Sequence, residues 1–196
     1  MKQKIIAIVG MPGAGKSEAA AFFKEKNIPV IRFGDQTEIG LQKAGKPLTQ
    51  DNERWYREKL RADLGMEAMA MKAYERLKKN HAKKPVVVFD GLYSWEEYVF
   101  LTKKLPAVTL LCVYAQPKIR YERLRSRPIR PLSPNKARER DIAEIEKLNK
   151  GGPIALADYL IQNETTLQDY YVQLERFFCM IFFQSLVLLH RHCFHT

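Results

Sequence analysis

The chain has 196 residues, of which 46% are hydrophobic, and carries 33 Lys and Arg against 22 Asp and Glu, a net charge of +11. That length supports one core and argues against two independent domains. Three cysteines, Cys112, Cys179 and Cys193, lack metal-type spacing and cannot make a disulfide framework, so a reduced, cytoplasmic chain is expected. The charge calls for an anionic partner without choosing among nucleic acid, a membrane surface and a phosphorylated small molecule.

The first apolar run, at 4–9, is too short for a signal peptide and is cut off by Gly10 and Pro12. It reads as a buried strand, and the residues after Lys16 read as a helix. Similar β-branched runs recur at 28–33, 85–90, 107–114 and 158–163. Five near-continuous apolar runs separated by helix-length segments predict a three-layer α/β fold with a five-stranded parallel sheet. About fifty residues separate the second and third runs, and their apolar spacing predicts a helical insertion at about 34–80. Residues 114–150 hold eleven Lys or Arg against five Asp or Glu. Within them Pro128, Pro131 and Pro134 predict an arginine-bearing loop at 126–136. The end, 179–196, is an apolar tail too short to cross a membrane, and no transmembrane segment is expected. A buried helix end, an oligomer contact and a surface-seeking segment all fit it. The tail histidines, His190, His192 and His195, have no thiolate or carboxylate frame and are given no role.

The chemistry is concentrated in Gly10, Met11, Pro12, Gly13, Ala14, Gly15, Lys16 and Ser17, which match G-x-x-x-x-G-K-[ST] between a predicted strand and a predicted helix. The glycines let successive N–H groups point into one concavity that binds phosphate oxygens. The helix N-terminus adds partial positive charge there. Lys16 is expected to reach the β- and γ-phosphates of ATP, and Ser17 to ligate Mg2+. Asp90 ends the apolar run Val86–Phe89 and suits a second magnesium ligand.

These residues resemble the nucleoside monophosphate kinase and dephospho-coenzyme A kinase branch of P-loop proteins, and its adenylate-kinase-related members most. The resemblance covers about residues 4–178 as one kinase domain. It rests on Gly10 to Ser17, Arg32-Phe33-Gly34-Asp35, Asp90-Gly91, Arg120-x-x-Arg123-Leu124 and the run Ala157 to Asn163. It implies an ATP-dependent phosphotransferase acting on a small nucleotide-like acceptor. The insertion would hold the acceptor, and a lid at about 120–140 would close over it. Such kinases usually carry arginines where this chain has Glu38 and Tyr93. Either Arg57 and Arg61 grip an acceptor phosphate instead, or the acceptor offers a hydroxyl, with Asp35 as the candidate base. Arg123 and Arg127 are the leading lid cations, with Arg120 and Arg130 behind them. Loss of Lys16 should abolish transfer, and loss of Arg123 should slow it by ~10³-fold or more. The alternatives are a P-loop ATPase acting on nucleic acid and a regulatory nucleotide switch. The first lacks a base-stacking platform and the second a guanine-specificity motif.

Overall fold

The computed structural model describes residues 3–191, with side chains other than those of Gln50 and 183–191. Five strands, β1 (Lys4–Val9), β2 (Val30–Arg32), β3 (Val86–Asp90), β4 (Val108–Tyr114) and β5 (Tyr159–Gln162), form one parallel sheet in the order β2-β3-β1-β4-β5. All five lie within the predicted runs. Nine helices are described: α1 (Lys16–Glu25), α2 (Asp35–Lys43), α3 (Gln50–Leu64), α4 (Ala68–Asn80), α5 (Trp95–Lys104), α6 (Pro117–Ser126), α7 (Pro134–Leu148), α8 (Gly151–Ala155) and α9 (Leu167–Arg191).

The sheet has three layers because its strands are apolar on both faces. Ile5, Ala7, Val9, Val87 and Phe89 pack with Met69, Ala73, Leu77 and Leu101 of α4 and α5. Ile6, Ile8, Val88 and Leu111 pack on the other side with Phe22 and Phe23 of α1 and Tyr170, Leu174 and Phe177 of α9. Burying each Val, Leu, Ile, Phe or Met side chain among these contributes about 1.5–3 kcal/mol before entropy is counted. β1 is central, pairing Ile8 with Asp90 of β3 and Val9 with Cys112 of β4. Chain crossovers leave toward opposite edges on its two sides, so a crevice opens at its carboxyl end, where open α/β sheets bind ligands.

Three elements differ from the sequence reading. The region at 34–80 is not uniformly an insertion: α4 buries Ala68, Met69, Ala70, Ala73 and Leu77 and covers the sheet, leaving α2 and α3 as the protruding part. The proline-rich loop ends earlier than predicted, because Pro134 opens α7 at a position where a missing N–H costs nothing. The backbone of α9 continues through Arg191, and Phe177 and Ile181 are buried in the core, so the start of the apolar tail is a packed helix. The tail side chains from 183, His190, His192 and His195 among them, lie outside the described residues. Among the described residues no helix is long and apolar enough to cross a membrane.

Candidate active site

β1 ends at Val9 and α1 begins at Lys16, so Gly10–Gly15 form the bend between them. Gly10 (φ 138) brings its Cα so close to β4 that a β-carbon would stand 2.2 Å from the Val113 carbonyl oxygen. Gly15 (φ 107) caps α1 in the left-handed region, and a β-carbon there would meet Asn163 Nδ2 at 2.2 Å. Only glycine fits either place.

The carbonyls of this loop are tied off from behind. Pro12 O accepts from Arg120 Nη1 at 3.0 Å, Ala14 O from Asn163 Nδ2 at 2.9 Å and Gly15 O from the Tyr170 hydroxyl at 3.1 Å. Gly10 O and Met11 O accept from Lys16 Nζ at 2.8 and 3.0 Å. The N–H groups of Gly13, Gly15, Lys16 and Ser17 have no backbone acceptor among the described residues. The loop therefore spends its acceptors on the protein and keeps its donors, at a helix N-terminus, for an anion. Burial brings the Lys16 ammonium down to about 7, helped by the charges of Lys150 and Arg140 and opposed by Glu144 and Asp90.

Ser17 is exposed on the first turn of α1, and Asp90 ends β3 beside the start of the loop. Asp90 is 7% exposed, and its carboxylate has no hydrogen bond or ion pair among the described residues. Burial raises it above the usual carboxylate range, while the nearby charge of Lys16 pulls it back. A buried, unpartnered carboxylate and an open hydroxyl at one pole of the sheet fit the donor set of a magnesium ion.

The predicted arginines divide. Arg120 is buried, and its guanidinium holds Asp141 of α7 by two bonds, 3.0 and 2.6 Å, besides Pro12 O and Ala115 O. It fastens α6 and α7 to the loop 10–15. Arg123 donates to Asn163 O at 3.0 Å and to Asn163 Oδ1 at 3.4 Å, behind the loop. Arg127 caps α6 and donates to Arg130 O. Arg130, itself left-handed (φ 55), grips Glu53 of α3 at 2.8 and 3.1 Å and so joins lid to insertion. Arg57 lies 4.0 Å from the same carboxylate, and burial lowers it, with Glu53 opposing. Arg61 Nε is buried without a hydrogen-bond partner among the described residues. Asp35 is not on the strand but opens α2, and it pairs with Arg76 at 2.9 Å and Arg32 at 3.8 Å.

Other residues of the site went unread in the sequence. α7 buries Ala137, Asp141 and Glu144 while Ile142 and Ile145 are exposed, the reverse of an ordinary amphipathic helix. Glu144 accepts from Arg140 Nε at 3.0 Å and also bonds Lys150 Nζ. Burial works against its charge, but Lys150 and Arg140 more than offset this and hold it below the usual range. Arg140 is the shared cation, for its charge acts on Lys16, Arg57, Tyr93 and Arg127. The available signals were the i, i+4 spacing of Arg140 and Glu144 and an inward stripe of charge, both masked by the many charges around them.

A family model described as "AAA domain" matches residues 6–147. A UPF0200 protein of Sulfurisphaera tokodaii is 37% identical over 171 residues, covering 85% of this chain and 91% of that protein. Among solved structures, TT1252 from Thermus thermophilus superposes with a TM-score of 0.67 at 19% identity, covering 92% of this chain and 98% of that one. A shikimate kinase from Bacteroides thetaiotaomicron gives 0.58 at 17%, covering 92% and 99%. The fold is that of P-loop kinases.

Proposed function

The chain belongs to the UPF0200 family, and from that premise we propose that it is a small-molecule kinase that moves the γ-phosphoryl group of ATP onto a nucleotide-like acceptor. The observation that carries this reading is the loop 10–17, with its carbonyls bonded away and its N–H groups left open beside Lys16. The likeness in fold to a shikimate kinase supports a phosphotransferase over a bare turn or a switch.

In the proposed mechanism the loop amides bind the β-phosphate, and Lys16 exchanges its two carbonyl partners for phosphate oxygens. Phosphoryl transfer spreads negative charge over the equatorial oxygens, so fixed cations do most of the work. Arg140 and Arg127, from the closed lid, supply them. Arg123 acts indirectly, by holding Asn163 against the loop. Ser17 and Asp90 would hold Mg2+, which neutralises β- and γ-oxygen charge when bound.

For the acceptor, Arg57 and Arg61 of α3 are favoured as binders of a phosphate. The alternative is Asp35 as base for a hydroxyl acceptor: Arg76 holds its Oδ2, and Oδ1 is left to take a hydroxyl proton.

The test follows ADP formation with ATP, Mg2+ and a panel of nucleoside monophosphates plus dephospho-coenzyme A. Acceptor-dependent ADP is expected, lost in Lys16→Ala and reduced by ~10²-fold or more in Arg140→Ala. ADP release indifferent to every acceptor would refute the kinase reading.

A further inference from the structure

One buried cation at the site has no part in the transfer just described. Lys150 follows the left-handed cap of α7 at Asn149 (φ 50), and its side chain is 2% exposed. Desolvating an ammonium is expensive, and a protein keeps one only where the charge is answered. Here the answer is Glu144, which Lys150 must share with Arg140. The ring of Tyr93 adds a cation–π contact, 5.1 Å from the Lys150 nitrogen. Two cations therefore compete for the two oxygens of one carboxylate. Fastening the helix end does not require the Lys150 ammonium, because Lys150 N–H already bonds Glu144 O at 3.3 Å and Asn149 Nδ2 bonds Glu96 Oε1 of α5 at 2.8 Å.

A second observation comes from the elements facing it. Glu97 of α5 is fully buried; its Oε2 accepts from Tyr93 N–H at 2.7 Å, and its Oε1 has no partner among the described residues. Arg61 Nε, on α3, is likewise buried without one. Tyr93 links this carboxylate to Lys150, since its N–H bonds Glu97 and its ring faces the ammonium, and the charges of Arg61 and Lys150 both act on Glu97. Buried polar atoms are nearly always paired, so orphans around a buried ammonium mark a place where a polar guest or water belongs.

We propose that Lys150 and Arg61 form an anion subsite beside Tyr93 and Glu97, taking a phosphate or carboxylate of the acceptor, with Glu144 as the counter-ion that the acceptor displaces. The inference rests on the reading of the chain as an ATP-dependent phosphotransferase and adds to it what the acceptor must carry.

The experiment loads the full chain with a non-hydrolysable ATP analogue and Mg2+ and titrates AMP, CMP, dephospho-coenzyme A and shikimate, with adenosine as the uncharged control. At least one anionic probe is expected to bind, phosphate-bearing or carboxylate-bearing according to the subsite's preference. Lys150→Met should weaken its Kd about 10- to 100-fold while analogue affinity stays within about twofold, and Lys150→Arg should restore most of the loss. Glu144→Gln, which frees the ammonium, should tighten the same probe several-fold. A purely structural ion pair predicts the opposite pattern: lower melting temperatures in both variants with unchanged probe affinity, and that result overturns the inference. So does an analogue-loaded protein that binds none of the anions, which leaves nucleotide binding standing. Failure of the parent protein to bind the analogue would bring down the phosphotransferase reading itself, and the subsite with it.

Discussion

The phosphate loop and the lid side of the same crevice are built on different principles. The loop is one continuous stretch, 10–17, whose function lies in its backbone: glycine at fixed places, carbonyls turned outward and donors turned in. The lid side is a network of side chains from α3, α6, α7, the loop between α6 and α7 and the turn after α7, joined by Arg120–Asp141, Arg130–Glu53 and Arg140–Glu144–Lys150. A site made of backbone is rigid and local. A site made of distant ion pairs exists only once the chain has folded, and it opens wherever its pairs are weak.

The strongest of these pairs should be Arg120 with Asp141, since both are buried and the guanidinium also holds Pro12 O. Arg120→Met strands a buried carboxylate and should cost about 3–5 kcal/mol, read by denaturant unfolding. It should also loosen nucleotide binding, because the lid helix and the loop share that guanidinium. A loss below about 1 kcal/mol would deny the pair its joining role.

Next comes Glu97, which burial pushes up to about 7 although the N–H groups of Tyr93 and Ser94 and the charges of Arg61 and Lys150 favour its ionised form. A carboxyl raised in the folded state binds its proton more tightly there than in the unfolded chain. Its contribution is therefore complete below the unfolded value near 4.5 and is lost as pH rises toward about 7. Across that window the parent should lose up to about 3 kcal/mol relative to Glu97→Gln, whose amide keeps the acceptor for Tyr93 N–H. Melting temperatures of the two proteins at pH 5 and pH 8 check the sign. A difference between them that stays constant, or that moves in the parent's favour at the higher pH, would contradict it.

The smallest effect belongs to Arg130 and Glu53, because the arginine is 46% exposed. Glu53→Gln should cost about 1 kcal/mol or less in stability. It should, however, raise amide exchange at 127–133 and in the first turns of α3, since this pair joins the lid to the insertion. Exchange unchanged at both segments would mean that the lid is held elsewhere.

The contrast also explains what the sequence could disclose. All five strands were legible because each is an apolar run, and the loop because its glycines and Lys16 have few other uses at that spacing. α4 was misassigned to the insertion, since a helix covering a sheet and a helix capping an acceptor share the same apolar period. The sequence shows the positive charge of Arg120 and Arg123 but not that the folded chain bonds them to Asp141 and Asn163. Arg140, Glu144 and Lys150 are hidden in a segment crowded with charge. Nothing in one sequence says which charges face inward, as only topology decides that α7 turns Asp141 and Glu144 toward the core and two isoleucines to solvent.

The central claim is that the donors of residues 10–17 hold a triphosphate. Calorimetric titration of a non-hydrolysable ATP analogue with Mg2+ tests it most directly, with Gly15→Val as the variant, because a side chain there must collide with Asn163. The account predicts one molecule bound per chain, with affinity falling at least ~10²-fold in the variant. No heat of binding in the parent, or equal affinity in the two proteins, would contradict it.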